Sequence, residues 1–247
     1  MKLASSTIFV TGANRGLGRA LVEHSLAAGA RRVYAGARDP AQLEPLVRAA
    51  PDRVIPLALD VTEPATLAAA AARAPDITLL INNAGVLASH GALTSPSAEL
   101  ARDFAVNTFG MLAATRAMLP ALERAGATGS AGIINVLSIV SLASMPALAG
   151  YSASKAAAYS VTQALRNDLA AKRIAVHAVF PGPIDTDMVR GMTMPKTSPA
   201  EVAAAIFEGV ERGVDEIFPD PASRELFALW QRDPRALERQ FVQMAAG

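Results

Sequence analysis

Tyr151 and Lys155 stand four residues apart at the opening of a long, Ala-rich run of helical period, so phenol and ammonium share one face of that helix. A cation beside a tyrosine favours the ionised phenol and lowers its pKa, which makes the side chain a usable acid and base. Ser138 follows the apolar run Ile133–Leu137, at the end of what reads as a strand, where its hydroxyl can hold a substrate oxygen beside the tyrosine. Three groups then surround one oxygen. Singly, each is ordinary: such a Tyr and Lys usually decorate a helix surface, and a Ser after a strand usually makes a turn. Their joint placement points to proton transfer at a carbonyl or alcohol.

A second constellation lies near the N-terminus. The apolar run Ile8–Val10 ends in Thr11-Gly12-Ala13-Asn14-Arg15-Gly16-Leu17-Gly18, and a helical pattern follows to Gly29. Glycine at 12 makes the tight turn, at 16 lets backbone approach a pyrophosphate, and at 18 lets helix and strand close-pack. The spacing G-x-x-x-G-x-G is modest evidence alone, and its place after the first strand strengthens it. Arg38-Asp39 follows the second apolar run. Arg38, joined by Arg15 from the glycine turn, suits the 2′-phosphate of NADP, whereas Asp39 on the ribose would give NAD. The expectation is NADP(H), with NAD(H) as the alternative. Asp60, followed by Val61 after the third apolar run, either accepts a hydrogen bond from the adenine amine or caps a helix.

These groups need a scaffold. Apolar runs recur at Arg32–Ala37, Val54–Leu59, Ile77–Ile81, Ile133–Leu137 and Ile174–Phe180, with a short one near Glu216–Phe218, separated by stretches of helical period. That alternation predicts an α/β chain, a doubly wound Rossmann fold with a mainly parallel seven-stranded sheet flanked by helices on both faces. No linker or repeat divides residues 1–247, which read as one domain. The segment Pro181–Pro199, rich in Pro, Gly, Met and Thr, reads as a mobile loop whose part around 186–198 covers a substrate. A helix near Pro199–Arg212 and a helical tail carrying Trp230 complete the chain.

Composition narrows the classes. The 247 residues are 51% hydrophobic and 18% charged, with a formal net charge of +1, which gives no broad attraction for nucleic acid or anionic membrane. Cysteine is absent, which removes disulfides and thiolate chemistry, and His24, His90 and His177 lack metal-ligand spacing, so no metal is expected. A strand begins within a few residues of Met1, and no uncharged apolar run reaches spanning length, so a cytoplasmic location is expected.

From about Thr7 to about Met188 the chain resembles the short-chain dehydrogenase/reductase family, in its NADP-preferring type. The resemblance rests on Thr11–Gly18, Asp60, Asn82-Asn83-Ala84-Gly85, Asn107, Ser138, the Tyr151…Lys155 pair, and Pro181-Gly182-Pro183-Ile184 followed by Thr186. It implies that Tyr151 is the general acid/base, that Lys155 lowers its pKa and binds the nicotinamide ribose, and that Ser138 orients the substrate oxygen. It further implies that Asn107 holds a water in a proton relay through Lys155. By the same resemblance Asn83, Ala84 and Gly85 support the adenosine side, while Ile184 and Thr186, after Pro181 and Gly182, meet the nicotinamide carboxamide. A structural role for Asn82 and Asn83 stays open. Asn107 within Phe104–Thr108 is poor for a helix interior, so a bound water or a local distortion is expected there.

The implied reaction is NADP(H)-dependent reduction of a small apolar ketone or aldehyde, or oxidation of the alcohol. For the substrate wall the sequence offers Met145, Met188 and Met192 beside Ser138 and Tyr151, with Leu87, His90, Ser141, Leu148, Met194 and Trp230 as further candidates. Arg190 and Lys196 read as solvated. Many tetrameric family members end in a Thr-Gly strand followed by Asp-Gly-Gly. This chain has Glu216-Ile217-Phe218-Pro219-Asp220-Pro221, so a tetramer is in doubt and a homodimer or monomer stays open. Two other functions stand beside the leading one. One is a dinucleotide-sensing or partner-binding protein without turnover; the other is sugar-nucleotide epimerase or dehydratase chemistry, for which the chain has little room.

Overall fold

A computed structural model of the chain describes residues 2–129, 131–191 and 193–246. Seven strands form one sheet: β1 (Thr7–Thr11), β2 (Arg32–Ala37), β3 (Val54–Ala58), β4 (Leu79–Asn82), β5 (Ala131–Val136), β6 (Ile174–Val179) and β7 (Glu216–Ile217). The order is β3-β2-β1-β4-β5-β6-β7 and every pairing is parallel. The mainly parallel sheet expected from sequence is thus parallel throughout. The order reverses between β1 and β4, and that reversal opens a crevice at the carboxyl ends of the strands.

Helices cover both faces, which is why the strands read as continuous rather than alternating apolar runs. Ile8 and Val10 of β1 pack with α1 (Gly16–Ala27), α2 (Glu44–Ala49) and α7 (Pro199–Glu211); Phe9 points the other way, into α3 (Pro64–Arg73), α5 (Met111–Ala127) and α6 (Ala149–Ala170). Helix α4 (Ser97–Phe104) leads into α5 through a π-helical turn, Ala105–Gly110. α7 is set by a reciprocal cap between Ser198 and Glu201 with Pro199 at its first position.

Two details differ from the sequence reading. β4 begins at Leu79, because Ile77 is buried before pairing starts. The tail is two helices, α8 (Pro221–Arg232) and α9 (Pro234–Ala246), broken where Asp233 leaves helical geometry just before Pro234. These fold back over the strand ends, packing Leu226, Leu237 and Phe241 on Ile139, Val140, Met145 and Leu148. Among the described residues no helix is long and apolar enough to cross a membrane.

Candidate active site

One crevice of about 870 Å³ runs along the carboxyl ends of the strands. The described residues expected to hold the cofactor or carry the chemistry all line it except Asn107, as do Met145 and Met188 of the expected substrate wall. Met192 lies outside the described residues.

At one end the chain turns from β1 into α1. Gly12 and Gly16 take φ of +65° and +52°, a region that side chains with a Cβ avoid. A Cβ on Gly18 would stand 2.0 Å from the Gly12 carbonyl oxygen, so only glycine lets the helix pack this closely. Arg15, at the N-cap, makes no side-chain cap, and the first turn of α1 carries no acid. Its orphan N–H groups and positive end therefore face the crevice without an internal anion, an arrangement that suits a phosphate. Asn83 braces the turn: its Nδ2 donates to the carbonyls of Thr11 at 3.0 Å and Gly12 at 3.1 Å. Thr11, named in the sequence only as the start of the glycine motif, accepts the Asn83 and Ala84 N–H groups on its hydroxyl, each at 3.0 Å, and so ties the end of β1 to the end of β4.

Further out, Asp39 accepts the Ala41 N–H at 3.0 Å and caps the short turn Pro40–Leu43. Its carboxylate is committed locally, while Arg38 makes no salt bridge among the described residues. Arg15 pairs at 3.6 Å with Asp187 across the crevice mouth, but both side chains are at least half exposed and the pair is weak. Asp60 does not cap α3, whose N-cap is Glu63. Its carboxylate accepts the Thr62 N–H at 2.9 Å and hydroxyl at 2.7 Å. Burial opposes its ionisation, yet those bonds and the nearby Arg38 charge hold it below the usual carboxylate range.

At the other end Tyr151 and Lys155 project from the first turns of α6, and both are buried. The Lys155 Nζ lies 5.8 Å from the Tyr151 ring centre and donates to the Val136 carbonyl at 2.8 Å. The lowered Tyr151 pKa expected from Lys155 is not what the structure gives: burial pushes Tyr151 up to about 12, against the Ser138 hydroxyl, which favours the phenolate. Burial pushes Lys155 down to about 8, against the charge of Asp103. Ser138 sits just beyond β5, where its oxygen also receives the Val140 N–H at a long 3.4 Å.

Asn107 stands behind these groups, in the π-helical turn. The local distortion expected from its poor helix propensity is therefore present. Its amide pairs reciprocally with Val86, each bond 2.9 Å, and donates to Ser154 Oγ at 2.9 Å. Gly85 lies between, its Cβ position 3.2 Å from Asn107 Oδ1 and 3.7 Å from Lys155 Nζ.

The loop after β6 is closed at its base by Ile184 and Thr197, with Asp185 N–H on the Thr197 carbonyl at 2.9 Å. Leu87, Met145, Leu148, Met188 and Met194 line the crevice, whereas His90, Ser141, Arg190, Lys196 and Trp230 do not. Val140, Leu226, Phe241 and Met244 complete the wall without having been singled out in the sequence. The last three come from α8 and α9, and only the apolar periodicity of the tail hinted that it packs on something.

A family model described as short chain dehydrogenase matches residues 6–196. The chain belongs to the short-chain dehydrogenase family. A short-chain dehydrogenase from Burkholderia cenocepacia, solved in complex with NADP, shares 39% identity with a TM-score of 0.89, over 98% of this chain and 99% of that one. A family member from Burkholderia phymatum, solved with NAD, is 26% identical with a TM-score of 0.84, over 95% of this chain and 96% of that one. The short chain dehydrogenase tazN of Aspergillus terreus is 31% identical over 77% of this chain, which spans only 44% of that relative's length.

Proposed function

We propose that this short-chain dehydrogenase is an NADP(H)-dependent oxidoreductase that reduces the carbonyl of a small apolar ketone or aldehyde, or oxidises the corresponding alcohol. The observation that carries the reading is the meeting of Ser138, Tyr151 and Lys155 at one end of a crevice whose other end is a glycine cradle facing a helix N-terminus. The dinucleotide, when bound, supplies or takes up the hydride. Gly12, Asn14, Gly16, Leu17 and Gly18 form its pyrophosphate cradle, and Arg15 and Arg38 hold the 2′-phosphate. Asp60, Val61, Asn83 and Ala84 flank the adenosine; Gly85, Pro181, Gly182, Ile184 and Thr186 flank the nicotinamide. Arg38, which makes no salt bridge among the described residues and stands beside a locally committed Asp39, is the support for NADP over NAD.

Tyr151 donates its phenolic proton to the carbonyl oxygen in reduction and takes the alcohol proton in the reverse direction. Ser138 donates a hydrogen bond to the same oxygen. Lys155, as ammonium, stabilises the tyrosinate that remains, and Asn107 holds the segment behind it, where a relay water would enter. Leu87, Met145, Leu148, Met188 and Met194 offer an apolar, adaptable wall to the rest of the substrate. The test is oxidation of NADPH against NADH over aliphatic, aromatic and keto-ester carbonyls, with Tyr151→Phe alongside. We expect turnover favouring NADPH, abolished in Tyr151→Phe with cofactor affinity retained. Unchanged turnover in that variant would sink the mechanism, and binding without turnover of any carbonyl would sink the reaction.

A further inference from the structure

Asp220 is a carboxyl group that neither the cofactor reading nor the proposed chemistry uses. It is fully buried, and no cation among the described residues pairs with it. An isolated carboxyl is costly to bury unless hydrogen bonds replace the lost water. Here each oxygen takes one backbone N–H at 2.8 Å: Oδ1 that of Ser223, as the N-cap of α8, and Oδ2 that of Gly182, 38 residues earlier in the chain. A cap alone needs one acceptor, which Ser or Asn supplies about as well. Among short side chains only a carboxylate offers two acceptor oxygens and no donor. The residue type therefore answers the bond to Gly182 rather than the cap.

That bond falls on the wall given above to the nicotinamide, since Pro181, Gly182, Pro183 and Ile184 all line the crevice. Proline has no N–H, so Gly182 carries the only backbone donor of Pro181–Pro183. Two carbonyls complete the hold: Pro181 accepts the Ile139 N–H and Pro183 the Thr197 N–H, each at 3.0 Å. Ile139 directly follows Ser138, so one run of bonds leads from Asp220 through Gly182 and Pro181 to the backbone beside the substrate-orienting hydroxyl. The approach is close. A Cβ on Gly182 would stand 2.8 Å from Asp220 Oδ1 and 3.3 Å from the Ala222 Cβ.

We propose that Asp220 is a positioning residue for the nicotinamide end of the site: it holds the Pro181–Ile184 wall in place beside Ser138, and does so from the root of the helix that roofs the substrate end. The phosphate cradle, built at the other end of the crevice from β1, α1 and the end of β4, does not depend on it.

This assignment rests on the dinucleotide reading of the crevice, and a pair of probes keeps the two failures apart. Calorimetry on the full chain compares NADP+ with 2′-phospho-ADP-ribose, the same molecule without its nicotinamide. Asp220→Ser keeps a good cap for α8 but has no second oxygen for Gly182. Ser223→Ala is the converse: it loses the bond that the Asp220 N–H makes to the Ser223 hydroxyl and leaves the Gly182 bond intact. We expect Asp220→Ser to bind NADP+ about tenfold or more weakly and the fragment within about twofold of wild type, with Trp230 emission unchanged because α8 stays docked. Ser223→Ala should bind both probes as wild type does, at a lower melting temperature. NADP+ affinity retained in Asp220→Ser overturns the proposal, and so do equal losses for NADP+ and the fragment, which would make Asp220 a residue of the fold alone. If Asp220→Ser does not fold, the isosteric Asp220→Asn, whose amide must turn a donor on one of the two N–H groups, decides through the same two affinities. A wild type that binds neither probe overturns the dinucleotide reading instead. Amide exchange at Gly182, expected to be about tenfold faster in Asp220→Ser, then still decides whether Asp220 holds the wall, and unchanged exchange would show that it does not.

Discussion

On the surface of an ordinary helix, a tyrosine four residues before a lysine would titrate much as either does in water. Burial separates the present pair from that case and moves its members toward each other's ordinary ranges and past them, Tyr151 up to about 12 and Lys155 down to about 8. The consequence for reduction has a definite sign. In the proposed mechanism Tyr151 holds a proton and releases it, and release is easy only while Lys155 is an ammonium. As pH rises through about 8, Lys155 loses its charge and the tyrosinate loses its support. We expect kcat/KM for reduction to be flat below that point and to fall above it, and Lys155→Met to be slow at every pH. A steady-state pH profile checks this; reduction that rises on the alkaline side would contradict it. The meeting of Tyr151, Lys155 and Ser138 in one crevice was legible in the sequence, because it follows from residue type and spacing. The bond of Asp220 to Gly182 was not, since it spans 38 residues and only the return of α8 brings the two together.

Elements explain why the phosphate end was the more readable half of the crevice. A strand, three glycines and a helix form a local unit in which Gly12 and Gly18 are crowded by residues close in sequence and by the end of β4, while only Gly16 is limited from afar, by Thr186. Gly18 is the tightest case, with the Gly12 carbonyl 2.0 Å and Asn83 Nδ2 2.5 Å from any added Cβ. Gly18→Ala must push α1 away from the turn, and such overpacking costs about 1–3 kcal/mol. For a chain of this size that is a fall in melting temperature of roughly 3–10 °C, with cofactor affinity lost as the cradle opens. Gly191, which has open space around its Cβ position, serves as the control and should change neither on substitution by Ala. Thermal unfolding with and without NADPH measures both; a Gly18→Ala protein as stable and as tightly bound as wild type would show that the close approach is not needed. The π-helical turn at Asn107 was half legible in the same sense: propensity marked the helix as distorted, but only the bonds to Val86 and Ser154 say what the distortion accommodates.

At the scale of the molecule, the substrate end depends on a fold-back that no local pattern records. β1–β6 and their helices build the crevice, and α8 and α9 then return across it from the far end of the chain. The return is anchored at Asp220, fully buried, which caps α8 by accepting the Ser223 N–H and also accepts the Gly182 N–H, both at 2.8 Å. It is reinforced by stacked rings, with Phe180, Phe218, Phe227 and Trp230 following one another at centroid spacings of 5.0, 3.9 and 5.9 Å. Phe241 and Met244 of α9 thereby reach the apolar wall near Tyr151, while Trp230 supports the roof from behind without lining it. If that roof shapes the substrate, Phe241→Ala should discriminate between substrates rather than slow them all. We expect KM for an aromatic ketone to rise about tenfold, the scale of one lost apolar contact surface, with KM for a short aliphatic ketone and the affinity for NADPH little changed. Trp230, the only tryptophan, provides the control, since unchanged fluorescence in the variant shows that the roof is still docked. Equal rises in KM for both ketones with the roof docked would mean that α9 holds the crevice together but does not select what enters it.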